Sequence, residues 1–264
     1  MTRVTTHRAR IAVLGGFAPS LISFRGHLLA AMAARGHEIV CGAAGFTGDA
    51  VAELSRLGVV RCRELPMRRA GMNPAGDGRS FMALCAWLRE ERPDVLFAYT
   101  AKPVIYGGLA ARTVGVPDYY PLITGLGYAF GAQPGLRRRM VASLVRRLYG
   151  SSLRAATATL FQNPDDEREF RQRRILRARD RTVITNGSGV DLDHYAPAPP
   201  PQPSGGPCFL FIGRLLREKG VRELVGAARR VHRVRADVRI QILGDVDDSL
   251  AAPGYIRGDD RTAH

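Results

Sequence analysis

The chain has 264 residues, 45% of them hydrophobic, so it is expected to be globular, at the upper size of one domain or the lower size of two. Its formal charge of +15 calls for anionic partners: nucleic acid, an anionic membrane surface or phosphorylated substrates. No run reaches the ~18 apolar residues of a membrane span, and no zinc-finger spacing, aromatic-basic run or helix-turn-helix pattern supports nucleic acid.

Arg3, Arg8 and Arg10 before the apolar run 11–14 faintly imitate a signal peptide, but Gly15, Gly16 and Pro19 break that run too early. Residues 11–14 are predicted as a first strand with Gly15-Gly16 as its loop. Leu28, Leu29, Met32 and Ala33 mark a helix face ending at Gly36, and residues 38–41 begin the next strand. The full G-x-G-x-x-G fingerprint is missing, because Phe17 and Ala18 follow the glycine pair. A tight turn that lets helix and strand pack explains the pair as well as a ligand does.

Further alternation follows. Helices are expected over 51–57, 81–89 and 104–114, and strands over 59–65, 95–98 and 119–124. Trp87 lies on the second of these helices, and the third is built of small residues. This repetition predicts a parallel sheet with helices on both faces, whose ligands bind at the carboxyl ends of the strands. Three loops meet there: 15–25, 99–102 and 124–130.

Residues 136–156 are predicted as a basic amphipathic helix, with Arg137, Arg138, Arg139, Arg146, Arg147 and Arg154 set against Leu136, Met140, Leu144, Val145 and Leu148. Such a helix lies on an anionic membrane surface or simply packs its apolar stripe and solvates its charges. Residues 157–161 follow as a strand, and Gln162-Asn163-Pro164-Asp165-Asp166 reads as a cap before a short helix. A strand at 182–185 leads into Asn186-Gly187-Ser188, formally a glycosylation acceptor and read here as a turn. Residues 196–206 are too rich in proline and glycine for regular structure and form a linker.

After the linker, 209–212 is an apolar run ending at Gly213, suited to a strand covered on both faces. Arg214 and Lys219 follow in a turn, and Gly220 precedes a helical pattern. Of the 39 basic residues only Lys102 and Lys219 are lysine, and both sit in motif-like stretches. Amides at that helix start, a guanidinium and an ammonium together would hold a diphosphate. The cysteines, Cys41, Cys62, Cys85 and Cys208, are scattered without a C-x-x-C pair, which predicts reduced thiols in a cytoplasmic protein. Asp245-Val246-Asp247 is read as a turn and not as a metal site.

The motifs ISFRGHLLAAMAARGHE, YTAKPVIYGGLAARTVGVP, YYPLITGLGYAF, FQNPDDEREF, NGSGVDLDHYAP and IGRLLREKGVRELVGAARR, in this order and spacing, resemble bacterial glycosyltransferase family 4. The match is closest to the subgroup acting on polyprenyl-diphosphate-linked sugars and covers roughly residues 11–243. The resemblance implies an α/β chain of GT-B type, with one complete Rossmann-like parallel-sheet lobe plus an incomplete second lobe. It divides as 1–195 for the acceptor lobe, 196–206 for the linker and 207–264 for a truncated nucleotide-sugar lobe.

It further implies a retaining transfer of a sugar from a nucleotide-sugar donor, a UDP-hexose or UDP-N-acetylhexosamine, to a lipid-linked sugar in cell-surface polysaccharide assembly. Arg214, Lys219, Gly15 and Gly16 would contact the donor diphosphate. Arg25, Tyr99, Lys102, Thr124 and Gly125 would line the acceptor side, with Lys102 meeting the acceptor's own diphosphate or acting structurally in its turn. Thr124 stands where many relatives carry histidine; a threonine hydroxyl binds but is no general base at neutral pH. No catalytic nucleophile, cofactor or metal is called for. The partners expected are the nucleotide sugar, the polyprenyl-diphosphate-linked acceptor and a peripheral contact with the inner membrane face through 136–156, with no nucleic acid. The competing expectation is a non-catalytic acceptor-lobe binding module, because the paired glutamates of the family's second lobe are missing.

Overall fold

The computed structural model describes residues 8–67, 74–126, 135–199, 205–213, 215 and 219–244. The chain divides into two compact units, Met1–Val190 and Asp191–His264. The division falls a few residues before the proline-rich stretch at 196–206.

The first unit is a seven-stranded, wholly parallel sheet in the order β3-β2-β1-β4-β5-β6-β7. Its strands are β1 (Arg10–Leu14), β2 (Glu38–Ala43), β3 (Val59–Glu64), β4 (Val95–Tyr99), β5 (Asp118–Ile123), β6 (Thr159–Phe161) and β7 (Thr182–Ile184). They alternate with α1 (Ala18–Ala34), α2 (Gly48–Arg56), α3 (Pro74–Glu91), α4 (Ala101–Val114), α5 (Leu136–Leu153) and α6 (Pro164–Gln172). The expected doubly covered parallel sheet is therefore present, and α3 runs well beyond the 81–89 that the sequence pattern suggests.

The central strands are buried on both faces, which is why they read as short continuous apolar runs. Successive residues still take opposite sides. Ala12, Leu14, Leu96 and Ala98 join Trp87 of α3, Val104 of α4 and Leu153 of α5 in one core layer. Ile11, Val13, Phe97 and Tyr99 join Leu21 and Leu29 of α1 and Leu54 of α2 in the other. Each large side chain buried this way contributes roughly 1.5–3 kcal/mol relative to exposure.

Helix α4 explains the small-residue pattern of its sequence. At Gly107 a Cβ would lie 2.8 Å from Leu14 Cδ2, and at Gly108 one would collide with Ser152 and sit 2.5 Å from Tyr119 Cε1. The backbone of α4 thus lies directly on the sheet and on α5. Beside it, the Tyr119 hydroxyl and Ser152 Oγ both donate to the Val104 carbonyl at 2.6 Å, so the polar atoms of this closely packed corner are paired. Helix α6 begins as its sequence predicts: Asn163 Oδ1 accepts from the Asp166 amide at 2.8 Å, and Pro164 occupies the first turn.

In the second unit, β8 (Cys208–Ile212) pairs in parallel with β9 (Arg239–Leu243), joined through α7 (Val221–Val234). The expectation that β8 is covered on both faces is not met. Phe209, Leu210 and Ile212 are exposed, as are Ile242 and Leu243 of β9. Among the described residues β9 is the one strand paired with β8, too little to bury five apolar side chains. Asp245 and Asp247 lie outside the described residues.

The Gly108 contact gives a stability prediction. Gly108→Val is expected to cost about 2–3 kcal/mol through overpacking against Tyr119 and Ser152, measured as a shift of the urea midpoint. An unchanged midpoint would mean that α4 does not sit this close to β5.

Candidate functional site

The sheet order reverses between β1 and β4, because the chain runs outward through β2 and β3 and then returns to lay β4 on the other side of β1. At such a switch point the loops leaving the two strands diverge and open a crevice at their carboxyl ends. Here the loops are Gly15–Gly16–Phe17 after β1 and Thr100 after β4. They frame a cavity of about 470 Å³, also lined by Ser20, Arg25, Lys102, Thr124, Gln162 and Ser188.

Arg25 is the distinctive group. It lies on α1, is only 5% exposed, and has no carboxylate partner among the described residues. Its guanidinium lies 4.8 Å from the centroid of the Tyr99 ring. Nη1 donates to Ser188 Oγ at 2.9 Å and to the Phe24 carbonyl at 3.2 Å, while Nε is buried without an acceptor. Burial pulls its pKa below the ordinary arginine value, opposed by the electrostatics of Tyr99. An arginine nevertheless keeps its charge at any ordinary pH. The ring face repays part of the desolvation, by about 2 kcal/mol at a dry site.

Each of these neighbours is held by the fold. Tyr99 closes β4, and its hydroxyl pairs with Ser20 Oγ at 2.8 Å; Ser20 in turn donates to the Phe17 carbonyl at 2.7 Å. Burial pushes the Tyr99 phenol up to about 12, against the favourable effects of Ser20 and Arg25. Ser188 arrives on the loop after β7, where Asn186, Gly187 and Gly189 all have positive φ. Its hydroxyl oxygen also accepts from Gln162 Nε2 at 2.7 Å, and its own proton remains to be donated.

Two helices begin at the cavity. Ser20 lies in the first turn of α1, and α4 starts right after Thr100; neither helix has an acidic residue in its first turn. Their amide ends add partial positive charge to that of Arg25. Thr100 itself takes φ 69°, ψ 160°, a conformation costly for a non-glycine residue. A buried cation, two helix starts and several hydroxyls are groups that can bind an anion with ester oxygens, such as a phosphate or diphosphate.

The residues expected from sequence are distributed as follows. Arg25, Tyr99, Lys102, Thr124 and Gly16 line this one cavity. Gly125, next to Thr124, is exposed and has φ 140°. Gly15 has a steric task, since a Cβ there would stand 2.6 Å from the Tyr99 hydroxyl. Lys102 Nζ is ion-paired with Asp77 Oδ1 of α3 at 2.8 Å. Lys219 lies in the second unit, exposed, immediately before Gly220 and α7. Arg214 falls outside the described residues. Asp77, Ser188 and Gln162 carry no site role in the sequence reading, although the last two belong to the motifs NGSGVD and FQNPDD.

The model of the glycosyl transferase 4-like domain family matches residues 24–187. The chain belongs to this family. The match begins at Phe24, beside Arg25, and contains Tyr99, Lys102, Thr124 and Gln162; Ser188 lies one residue beyond it. The chain is 25% identical over 171 residues to an N,N'-diacetylbacillosaminyl-diphospho-undecaprenol alpha-1,3-N-acetylgalactosaminyltransferase of Campylobacter jejuni. That alignment covers 61% of this chain, and the chain spans 45% of the relative's length.

Among solved structures, a sucrose-phosphate synthase of Thermosynechococcus elongatus superposes with a TM-score of 0.65 at 14% identity, over 96% of this chain and 66% of that one. A glycosyltransferase of Rickettsia africae gives 0.58 at 15% identity, over 92% and 70%. At such identities the likeness shows the shared GT-B fold, and the chemistry has to be argued from the site. Family and fold therefore agree, and the cavity at the switch point is where an activity has to be sought.

Tyr99 allows a test of the site's packing. Because burial raises the phenol to about 12, the folded form holds its proton where the unfolded chain, near 10, has lost it. Its stabilising effect is thus complete below pH 10 and lost as pH rises from 10 to 12. Tyr99→Phe is expected to cost about 1 kcal/mol at pH 8 through the Ser20 bond, and to lessen the loss between pH 10 and 12 in urea unfolding. An equally steep alkaline loss in the variant would contradict the buried phenol.

Proposed function

We propose that the protein transfers a sugar, with retention of configuration, from a nucleotide donor to a sugar carried on a polyprenyl diphosphate, the first unit receiving the acceptor. The donor would be a uridine-diphosphate hexose or N-acetylhexosamine. The observation that carries this reading is the buried, carboxylate-free Arg25 in the switch-point cavity. A cation left without a counter-charge in a protein interior asks for an anionic ligand. A diphosphate acceptor has that charge, and its oxygens match the hydroxyls of Ser188 and Thr124.

The assignment of Lys102 changes with its partner. Asp77 already balances its charge, so Arg25, and not Lys102, is the cation offered to the acceptor. On the donor side Lys219 and Arg214 are proposed to meet the diphosphate. Charge grows on the departing phosphate as the glycosidic bond breaks, and fixed cations stabilise that charge more than the ground state. Gly16 lines the cavity from β1, while Gly15 lets Tyr99 reach its place under Arg25.

No helix among the described residues is long and apolar enough to cross a membrane. On α5, Leu136, Met140 and Leu144 are exposed beside Arg139 and Arg147. A peripheral contact with an anionic bilayer through this helix fits both its apolar side chains and its charge. The domains proposed are 1–195 for the acceptor, 196–206 as linker and 207–264 for the donor.

Arg25→Gln is expected to raise the acceptor KM at least tenfold while leaving the donor KM unchanged, measured by transfer of radiolabelled sugar to a lipid diphosphate. Lys219→Ala is expected to do the reverse, at a cost of about 1.5–3 kcal/mol in donor binding. A donor effect from Arg25 would overturn the assignment. The exposed apolar residues of β8 and β9 favour a second reading, an acceptor-binding module that does not itself transfer sugar. Acceptor binding sensitive to Arg25→Gln, with no sugar transfer, would select it.

A further inference from the structure

A second cavity of the first unit lies between α3, α4 and α5, with a volume of about 680 Å³. Its walls are mostly apolar, formed by Phe81, Tyr106, Leu109, Leu144 and Leu148, and Asp77 and the exposed Arg112 and Thr113 also line it. Leu144 lines it although it is 47% exposed, so the groove opens to the surface of α5 beside Met140. Tyr106 belongs to the apolar wall: burial and its hydrogen bond to Asp77 push the phenol up to about 12, so it is neutral.

The groove and the Arg25 cavity meet at one ion pair. Lys102 lines the Arg25 cavity, Asp77 lines the groove, and the two are joined at 2.8 Å with both side chains largely buried. In space the order is therefore an anion receptor, a neutralised charge pair and an apolar trough leading to exposed apolar side chains on α5. A polyprenyl diphosphate has the same order: two phosphates, then hydrocarbon.

We propose that this groove holds the first isoprene units of the acceptor's lipid, while Arg25 holds its diphosphate. The inference rests on the acceptor reading given above and adds a binding site for the chain. On this account the Lys102–Asp77 pair is a positioning element at the junction that the lipid crosses from head to tail. Each methylene removed from water adds to affinity, so burial of even a few tail carbons is worth more than tenfold. The anionic head and the basic flank of α5 together favour such a lipid over a neutral apolar ligand.

The test uses farnesyl diphosphate and inorganic pyrophosphate as probes in calorimetric titrations of the full chain without membranes. The wild type is expected to bind farnesyl diphosphate at least tenfold more tightly than pyrophosphate. Leu144→Glu, at an exposed position, and Thr113→Trp, which fills the groove from its rim, are each expected to bring that ratio close to one. Pyrophosphate affinity should be unchanged in both. A ratio near one in the wild type, or one untouched by both variants, overturns the groove assignment and leaves the diphosphate reading in place. If pyrophosphate binds the wild type and Arg25→Gln equally, the diphosphate reading fails instead, whatever the ratio.

Discussion

A guanidinium removed from water costs several kcal/mol unless something else solvates it, and in this fold that cost falls on Arg25. The face of Tyr99, the hydroxyl of Ser188 and the carbonyl of Phe24 supply part of the lost hydration. None of them carries a full negative charge. The Nε hydrogen has no acceptor among the described residues. The protein therefore keeps a cation in a partly solvated state next to open space, an arrangement that a bound anion would complete. Tyr99 can serve as its platform because Gly15 leaves room for the phenol and Ser20 binds it.

The topology makes that arrangement available. A parallel sheet whose order reverses between β1 and β4 leaves a crevice between the outgoing loops, and helices α1 and α4 start at its edge. Close packing of α4 on the sheet, permitted by Gly107 and Gly108, fixes where that helix begins. Strain at Thr100 is then what the chain accepts to turn from β4 directly into α4. Other charges in the interior of the unit are paired: Lys102 has Asp77, and the buried carboxylate of Glu91 has Arg61. Against this background Arg25 is an exception with a chemical consequence.

Much of the framework was legible in the residues. Short apolar runs alternating with helical periods specify a doubly covered parallel sheet, and Asn163-Pro164 marks the start of α6, because these signals are local. From the pattern of residues the cavity was legible as a set of loops, and the family resemblance named Gly16, Arg25, Tyr99, Lys102 and Thr124 without their geometry. Arg25 sits in a helix segment that reads like any other amphipathic one, and its burial depends on where Tyr99 and Ser188 arrive, 74 and 163 residues away in number. Asp77 lies in a stretch with no periodic signal before residue 81, so the partner of Lys102 could not be read. The apolar run 209–212 gave its strand but not its exposure, since burial depends on neighbours that a local pattern does not contain.

The central claim is that Arg25 waits for a diphosphate. Nitrogen-15 NMR of the arginine side chains reads it most directly, with the Arg25 Nε–H resonance assigned through Arg25→Lys. Saturating pyrophosphate is predicted to move that resonance downfield and slow its exchange with water, as the unpartnered donor gains an acceptor. A resonance unmoved at saturation would contradict the account, because the buried donor that the fold leaves open beside the cavity would not be one that the anion completes.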